Sequence, residues 1–542
     1  MYLATALLVT YGLSEAVSAF KLPFHLPWVS ATSNDEQVPL ALPPQDHTPR
    51  IAIVGAGAGG SSAAFWISKA KERYGLDVEV DIFDSNSYVG GRSTTVQPYD
   101  DPELDPIELG ASIFVKINKN MWRASEEFGF ERVDFDDSDD TLGIWDGSKF
   151  VLTSKLGGWW DTVRVIWRYG YKAPTRTKSM VENMMKDFTT LYTPLTGSSP
   201  WSNITALTYQ LEWTDVVSQS TMDYFDSQGI DSRWTREMIE AATRVNYGQN
   251  IDQIHALEGM CSLAATGASQ IKGGNWKIFE QFVKRSQANV FLNTTVKSIA
   301  EQDGKYFLRA QSKGPHFMER NYNAVIIAAP FHSAEIDLSL TSAAPVIPPQ
   351  PYVHLHVTLL STPNPHPRTR FFGLGEKDKV PTTVLTTWEG VRQGEENPAP
   401  EFNSLSYHGS LKFRNGTIAN TSASGEPEYS VKIFSKQKLE DSYLRKAFGK
   451  IGWVHRKEWD AYPILPPTTS FPPVKLAKGL YYVNSFEPFI STMETETISA
   501  RNAVELLMRD QFNASICKSE PAPEGVKPSD DKEEDFIYGW DC

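Results

Sequence analysis

The 542-residue chain has only three cysteines, Cys261, Cys517 and Cys542. That is too few for a disulfide framework, and their spacing suits no zinc site. At most one bridge can form. Cys517 with Cys542 is one pairing, free thiols are the alternative, and the sequence leaves the choice open. Positive charge is also short: 52 Lys and Arg against 66 Asp and Glu give a formal net charge of -14. This balance argues against nucleic-acid partners, whose affinity comes mainly from phosphate neutralisation by Lys and Arg. Past the N-terminus, no apolar run approaches the ~20 residues of a spanning helix. There are no internal repeats, and no Ser-His-Asp or Cys-His pattern stands out.

Apolar bulk is plentiful. Hydrophobic residues make up 41% and charged residues 22%, the balance of a soluble globular protein. Aromatic residues reach 12%, with 15 Trp, enough to line a large pocket. The length suits two or three domains. The opening "MYLATALLVTYGLSEAVSAF" is apolar from Tyr2 to Leu13 and offers Val17-Ser18-Ala19 for cleavage, so residues 1–19 read as a secretory signal peptide. It lacks a basic n-region and carries Glu15, so an uncleaved anchor is the competing reading. Five N-x-S/T sequons, at Asn203, Asn293, Asn415, Asn420 and Asn513, agree with a secretory route only alongside that peptide.

Residues 20–48 are Pro-rich and aperiodic and read as a flexible lead-in. Ile51–Val54 is a short apolar strand, Ser61–Arg73 a helix and Val78–Phe83 the next strand. This βαβ unit predicts a parallel sheet. Residues 116–264 read as mainly helical. Their densest aromatic stretch, "GGWWDTVRVIWRYGYK" (157–172), is either a helix packed on the core or a pocket wall or membrane-facing surface. In the latter case Arg164, Arg168 and Lys172 would lie near phospholipid headgroups. "NVFLNTTVKSIAEQDGKYFLRAQ" alternates like two strands around Asp303-Gly304, and "YNAVIIAAP" is a buried strand ended by Pro330. His354 and His356 share one face of a strand. With no third ligand evident, they read as solvent-facing or hydrogen-bonded histidines, and no metal is expected. The last segment, 517–542, is acidic and Pro-rich and reads as disordered.

The chemistry begins at Gly55, Gly57 and Gly60, a G-x-G-x-x-G directly after a strand. The first glycine permits a tight turn, the second a close pyrophosphate, the third close helix–strand packing. The helix N-terminus then offers free N–H groups to phosphates. Asp84 ends the second strand 24 residues after Gly60, where a carboxylate can hold ribose hydroxyls. "VGGRS" (89–93) then brings a second glycine pair, with Gly91 beside Arg92.

With that second glycine pair the sequence resembles the two-dinucleotide-binding-domain flavoproteins, in the branch that includes amine oxidases and protoporphyrinogen oxidase. The resemblance implies extended FAD, with Asp84 on the adenosine ribose, Arg92 near the pyrophosphate and a backbone contact from Val296 to adenine. "IELGASIF" (107–114) and Ala328-Ala329-Pro330 would lie beside the flavin. The segment "FISTMETETISARNAVELL" would turn a helix N-terminus to the pyrimidine ring, with Thr492 and Met493 N–H groups near negative charge. Glu494 and His332 also fall in motifs expected near the flavin, where structural hydrogen bonding is the favoured reading. Catalytic residues stay unassigned, with Thr492, Met493 and Glu494 as candidates. Cys517 lies too far past Met493 for a covalent flavin link, so FAD is expected to be noncovalent.

More narrowly, "RVNYGQNIDQIHALEGMCSLAATGASQIKGGN" (244–275), "ELGASIF" with "NKNM", the Trp-rich stretch near Trp159 and "LYYVNSFEPFISTMET" resemble the prenylcysteine oxidase (prenylcysteine lyase) family. The likeness covers about 49–512 and is weakest over the loop-rich 362–428. It implies an α/β fold in which a Rossmann-like FAD-binding domain (49–115, 265–335, 471–516) is interleaved with an α+β substrate domain (116–264, 336–470). It further implies oxidation of the thioether of farnesyl- or geranylgeranyl-cysteine. A hydride leaves the allylic carbon on sulfur for FAD, water adds, and the hemithioacetal collapses to cysteine and a prenyl aldehyde. O2 becomes hydrogen peroxide. Such a donor needs no strong base, so the lack of an acid/base pair weighs little. The expected setting is the secretory pathway, ending in a lysosome or vacuole or outside the cell, with peripheral membrane contact open. The alternatives are another FAD oxidase of the amine-oxidase type and a non-catalytic FAD-containing lipid-binding protein.

Overall fold

The computed structural model describes residues 48–134, 141–155, 159–193, 200–265, 267–314, 317–341, 346–394, 398–422, 425–518 and 536–542. The signal peptide read at 1–19, nearly all of the lead-in and residues 519–535 of the tail lie outside them.

Strand β1 (Arg50–Val54) has four buried residues, enters helix α1 (Ala58–Tyr74) through the glycine turn and is followed by strand β2 (Glu79–Phe83). β1 is central in a six-stranded sheet, parallel to β2 on one side and to Ala324–Ile327 on the other. Asn289–Phe291 extends the sheet beyond β2, and Leu480–Tyr482 extends it beyond Ala324–Ile327, both parallel. Lys475–Ala477 closes that edge antiparallel. The strands are apolar on both faces because both are covered. Ile51 and Ile53 pack with Phe65, Phe279, Phe282 and Val504 from three helices. Ala52 and Val54 pack instead with Val296, Leu308 and Tyr322. Those residues come from a four-stranded sheet containing the hairpin Thr294–Gln302/Lys305–Ser312. Asp303 and Gly304, with φ of 50° and 73°, make its two-residue turn.

A seven-stranded mixed sheet forms a separate layer, in the order Val454–Pro463, Tyr352–Thr362, Tyr429–Ser435, Ser404–Ser410, Thr383–Thr386, Thr141–Trp145, Phe150–Lys155. The region 116–264, read as mainly helical, therefore also lends this sheet its last two strands, an antiparallel hairpin. A long-range pairing joins the hairpin to the sheet: Thr383–Thr386 runs parallel to Thr141–Trp145.

The end of the chain corrects the expectation of a disordered tail. Phe536–Cys542 folds back onto α1: the Trp540 ring lies 5.1 Å from Phe65 and 5.5 Å from Trp66, and its Nε1 donates to Asn120 Oδ1. Cys517 and Cys542 form a disulfide with their Cα atoms 5.4 Å apart. Arg73 bridges both sides of it, donating to the carbonyls of Ile516 (2.7 Å) and Gly539 (2.8 Å). Three aromatic residues among the last seven outweigh the acidic composition that suggested disorder.

The helix Met493–Phe512 is enclosed on nearly all sides. Fourteen of its 20 residues are buried, Arg501 and Glu505 among them. Arg501 donates to the Leu191 and Tyr538 carbonyls, and Glu505 accepts from Ile516 N–H at 2.8 Å. Among the described residues, no helix is long and apolar enough to cross a membrane.

Candidate active site

A cavity of about 580 Å³ runs along the C-terminal ends of β1 and β2, and it gathers the predicted cofactor residues. Gly55, with φ of 106°, makes the turn out of β1, and a Cβ there would strike the Ala328 carbonyl. Gly60 abuts the Gly55 carbonyl with equally little room, which seats α1 on the strand. Gly57 begins α1 without a side-chain cap, so its first-turn N–H groups face the cavity. Gly91 lies opposite: a Cβ on it would stand 3.1 Å from the Gly57 Cα. The two glycine motifs therefore meet as bare backbone on two sides of one cradle.

Asp84 sits at the end of β2. Its Oδ2 accepts from Ala56 N–H and its Oδ1 from Asn86 N–H, both at 2.7 Å. Each carboxylate oxygen carries two lone pairs, so acceptor capacity remains for a ribose. Val296 lines the same end, where a register shift between Val296 and Ser298 interrupts the hairpin ladder.

Arg92 also lines the cavity, but its guanidinium is committed to Glu487 and to the Ala461 carbonyl. Burial disfavours its charge, yet Glu487 and Tyr352 outweigh that and hold its pKa above the ordinary value. Tyr352 donates to the other Glu487 oxygen at 2.6 Å. Nearby, Glu496 Oε1 is buried without a partner. Burial first, then the charge of Glu487, raises its pKa well above the carboxylate range. Ser93 Oγ and Asn484 Oδ1 are likewise buried and unmatched on the cavity lining. A glycine cradle, an uncapped helix, a ribose-competent acid and orphaned polar atoms fit an extended dinucleotide. Sequence reasoning missed Glu487 and Glu496, because neither lies in a recognisable spacing with Arg92.

Thr492 is the N-cap of Met493–Phe512, in a reciprocal capping box with Thr495, and Thr492 and Met493 line the cavity beneath that helix. Glu494 turns away. Its carboxylate accepts from the Asn120 and Met121 N–H groups, both at 2.9 Å, and from Tyr192 OH at 2.7 Å. It caps the helix Lys119–Glu127, and burial raises its pKa to about 7. His332 is held by the Ile347 carbonyl at 3.0 Å and is not among the cavity residues. His354 stands exposed between Glu458 and Asp460, at 2.7 and 3.0 Å, and Glu458 supplies the third ligand-type side chain that the sequence did not reveal beside His354 and His356.

A second cavity, of about 380 Å³, abuts the first. Gly110, Ala111, Phe434, Tyr462 and Ser491 to Met493 form the shared wall. Phe114, Met184, Met185, Phe188 and Ile490 make the rest largely apolar. Its polar corner holds Ser112, His408 and Lys432. Lys432 Nζ donates to Ser112 Oγ at 2.7 Å, and burial pushes its pKa down to about 8 against the pull of Glu108. Glu108 itself is raised to about 7 by burial. His408 lines the cavity with its imidazole accessible, and the surrounding walls, then the nearby Lys432 charge, lower its pKa from the ordinary value.

The distant motifs brace this junction. Asn275 donates from its amide N–H to Glu108 at 2.6 Å and from Nδ2 to the Ala111 carbonyl at 3.0 Å. Gln249 binds the Pro463 carbonyl and the Leu465 N–H. Glu258 receives the Ser491 N–H at 3.1 Å, which holds the turn before Met493.

Comparison with known proteins agrees with this construction. A family model described as prenylcysteine lyase matches residues 153–520, and one for an NAD(P)-binding Rossmann-like domain matches 53–128. Human prenylcysteine oxidase 1 is 27% identical over 84% of this chain and 88% of its own. Farnesylcysteine lyase of Arabidopsis thaliana is 27% identical over 86% and 89%. Among solved structures, putrescine oxidase (TM-score 0.53, 13% identity, 85% of this chain and 99% of its own) and cyclohexylamine oxidase from Brevibacterium oxydans (0.51, 14%, 85% and 99%) share the fold. The chain belongs to the prenylcysteine lyase family.

Proposed function

We propose that this chain is an FAD-dependent oxidase that cleaves the thioether of farnesyl- or geranylgeranyl-cysteine, with O2 and water, to cysteine, a prenyl aldehyde and hydrogen peroxide. One observation carries the reading: an apolar cavity shares a wall with the dinucleotide cleft, and the helix N-terminus at Thr492 and Met493 lies in that wall. Gly55, Gly57, Gly60, Asp84, Gly91, Arg92, Val296 and Met493 would hold the cofactor. FAD, when bound, supplies the acceptor for a hydride from the allylic carbon next to sulfur.

The chain supplies the rest. The apolar wall takes the isoprenoid at about 0.8 kcal/mol per buried CH₂ and excludes bulk water from it. The Thr492 N–H is spent on Thr495 Oγ1 in the capping box, so the Met493 N–H at the helix N-terminus, with the Lys432 ammonium, favours negative charge arriving at the shared wall. Water adding to the oxidised carbon releases a proton. His408, whose imidazole is accessible from the cavity and whose pKa is lowered there, is a side chain able to accept it.

A route through the secretory pathway to a lysosome or vacuole, or out of the cell, is supported by the Cys517–Cys542 bridge and by exposure of four of the five sequon asparagines. The decisive experiment is anaerobic mixing of flavin-loaded protein with farnesylcysteine. The flavin absorbance is expected to bleach, with aldehyde and peroxide appearing once air is admitted. Flavin that stays oxidised with farnesyl- and geranylgeranyl-cysteine, yet bleaches with a simple amine, would replace this reading by an amine oxidase.

A further inference from the structure

The helix Trp159–Tyr169 and the start of the next, Lys172–Thr189, carry the most exposed aromatic side chain among the described residues. Trp167 is 87% exposed, Tyr171 65% and Ile166 48%. Val165 and Tyr169 on the opposite side pack with Ile144, Leu152 and Ala241, so the helix is seated on the protein and presents its other side outward. A lone exposed apolar residue needs no explanation, but three large ones on one short ridge do.

The charge around them is equally uneven. Residues 164–178 contain five basic residues and no acidic one, in a chain of net charge -14. Arg168 is spent on Glu237. Arg164, Lys172, Arg176 and Lys178 are exposed around the aromatic ridge. Trp and Tyr are amphipathic residues that settle at headgroup level, and basic residues beside them add attraction to anionic lipid.

We propose that Ile166, Trp167 and Tyr171, flanked by Lys172 and Arg176, form a docking surface for an anionic lipid bilayer. Lys172–Thr189 begins at this ridge, and Met184, Met185 and Phe188 near its other end line the apolar cavity, about 18 Å further along the helix. The surface and the substrate cavity are therefore built on one element. The docking stands apart from the reaction. Only its use, drawing a prenylated amino acid from the membrane, rests on the function proposed above.

The test is co-sedimentation of full-length, flavin-loaded protein with vesicles of phosphatidylcholine, with and without phosphatidylserine. Binding is expected to anionic vesicles and to weaken with salt. W167A with Y171A should lower partitioning at least roughly tenfold. K172E with R176E should lower it only for anionic vesicles, by roughly fivefold or more per reversed charge. All variants should keep bound flavin, and turnover of dispersed farnesylcysteine should stay unchanged. Three outcomes overturn the proposal: no sedimentation with anionic vesicles, sedimentation that the four substitutions leave unchanged, or a ridge that buries itself in a dimer, seen as a wild-type dimer that W167A with Y171A turns monomeric without vesicle binding. Sedimentation that follows the substitutions while farnesylcysteine goes unoxidised would uphold the docking surface and reject the reaction.

Discussion

The Lys432 ammonium meets Ser112 Oγ at 2.7 Å, joining the seven-stranded sheet to the loop at the shared wall of the two cavities. Replacing Lys432 with Met removes a cation from an apolar chamber without enlarging it much. K432M is expected to retain flavin and to lose roughly a hundredfold in kcat/KM with farnesylcysteine. Burial places the Lys432 pKa at about 8. The wild-type pH profile should therefore show an ionisation near pH 8 that K432M lacks, which a merely structural lysine would not produce.

Stability should rise as pH falls from 8 to 6.5. Burial raises Glu258 to about 8 and Glu494 and Glu108 to about 7, from 4.5. Between pH 6.5 and 8 these acids hold protons when folded that the unfolded chain has released, so raising the pH costs stability. Buried His255, lowered to about 4 from 6.5, and Lys432, lowered by burial, pull the opposite way. The first acts below about pH 7.5 and the second above about pH 7, and the three acids outweigh them in this window. Thermal melts should give a midpoint a few degrees higher at pH 6.5 than at pH 8. Glu258→Gln should flatten the difference.

The cradle between Gly57 and Gly91 sets a size limit. A Cβ on Gly57 would stand 3.8 Å from the Gly91 Cα, ordinary contact, so Gly57→Ala should fold, but its methyl occupies the place of close pyrophosphate approach and should weaken flavin binding. Gly57→Val adds branches that enter the cradle. It should purify folded and colourless, which the ratio of flavin absorbance to protein absorbance checks.

The C-terminal return should contribute measurably. The bridge closes a sequence separation of 25 residues, worth about 3.5 kcal/mol by loop entropy. Cys517→Ser, and Trp540→Ala separately, should each lower the denaturation midpoint in urea. The double variant should lose less than the sum, because Arg73 and Trp540 hold the same segment.

What the sequence made legible was local. The glycine spacing, β1, α1, β2 and the Asp303-Gly304 hairpin each depend on neighbours within a few tens of residues, where periodicity and turn chemistry decide the outcome. The site's partnerships are not local. Arg92 finds Glu487 395 positions away, and Lys432 finds Ser112 at 320. Glu494 illustrates the gap: its place in the motif was readable, but its commitment to the N–H groups of Asn120 and Met121 was not. The hairpin Thr141–Trp145/Phe150–Lys155 was hidden in a helical stretch because Thr383–Thr386, far along the chain, joins it to the rest of its sheet.

Strand order also sets a timetable for biosynthesis. The ribosome releases β1, α1 and β2 early, yet one neighbour of β1 is Ala324–Ile327, and Arg50 N–H waits for Asn323 Oδ1, 273 positions later. Glu487, Thr492 and Met493 of the same cavity emerge later still. The glycine cradle is thus among the first things made and among the last completed. During elongation the apolar faces of β1 and α1 have no native cover, so nascent chains should depend on chaperones until the C-terminal helix arrives.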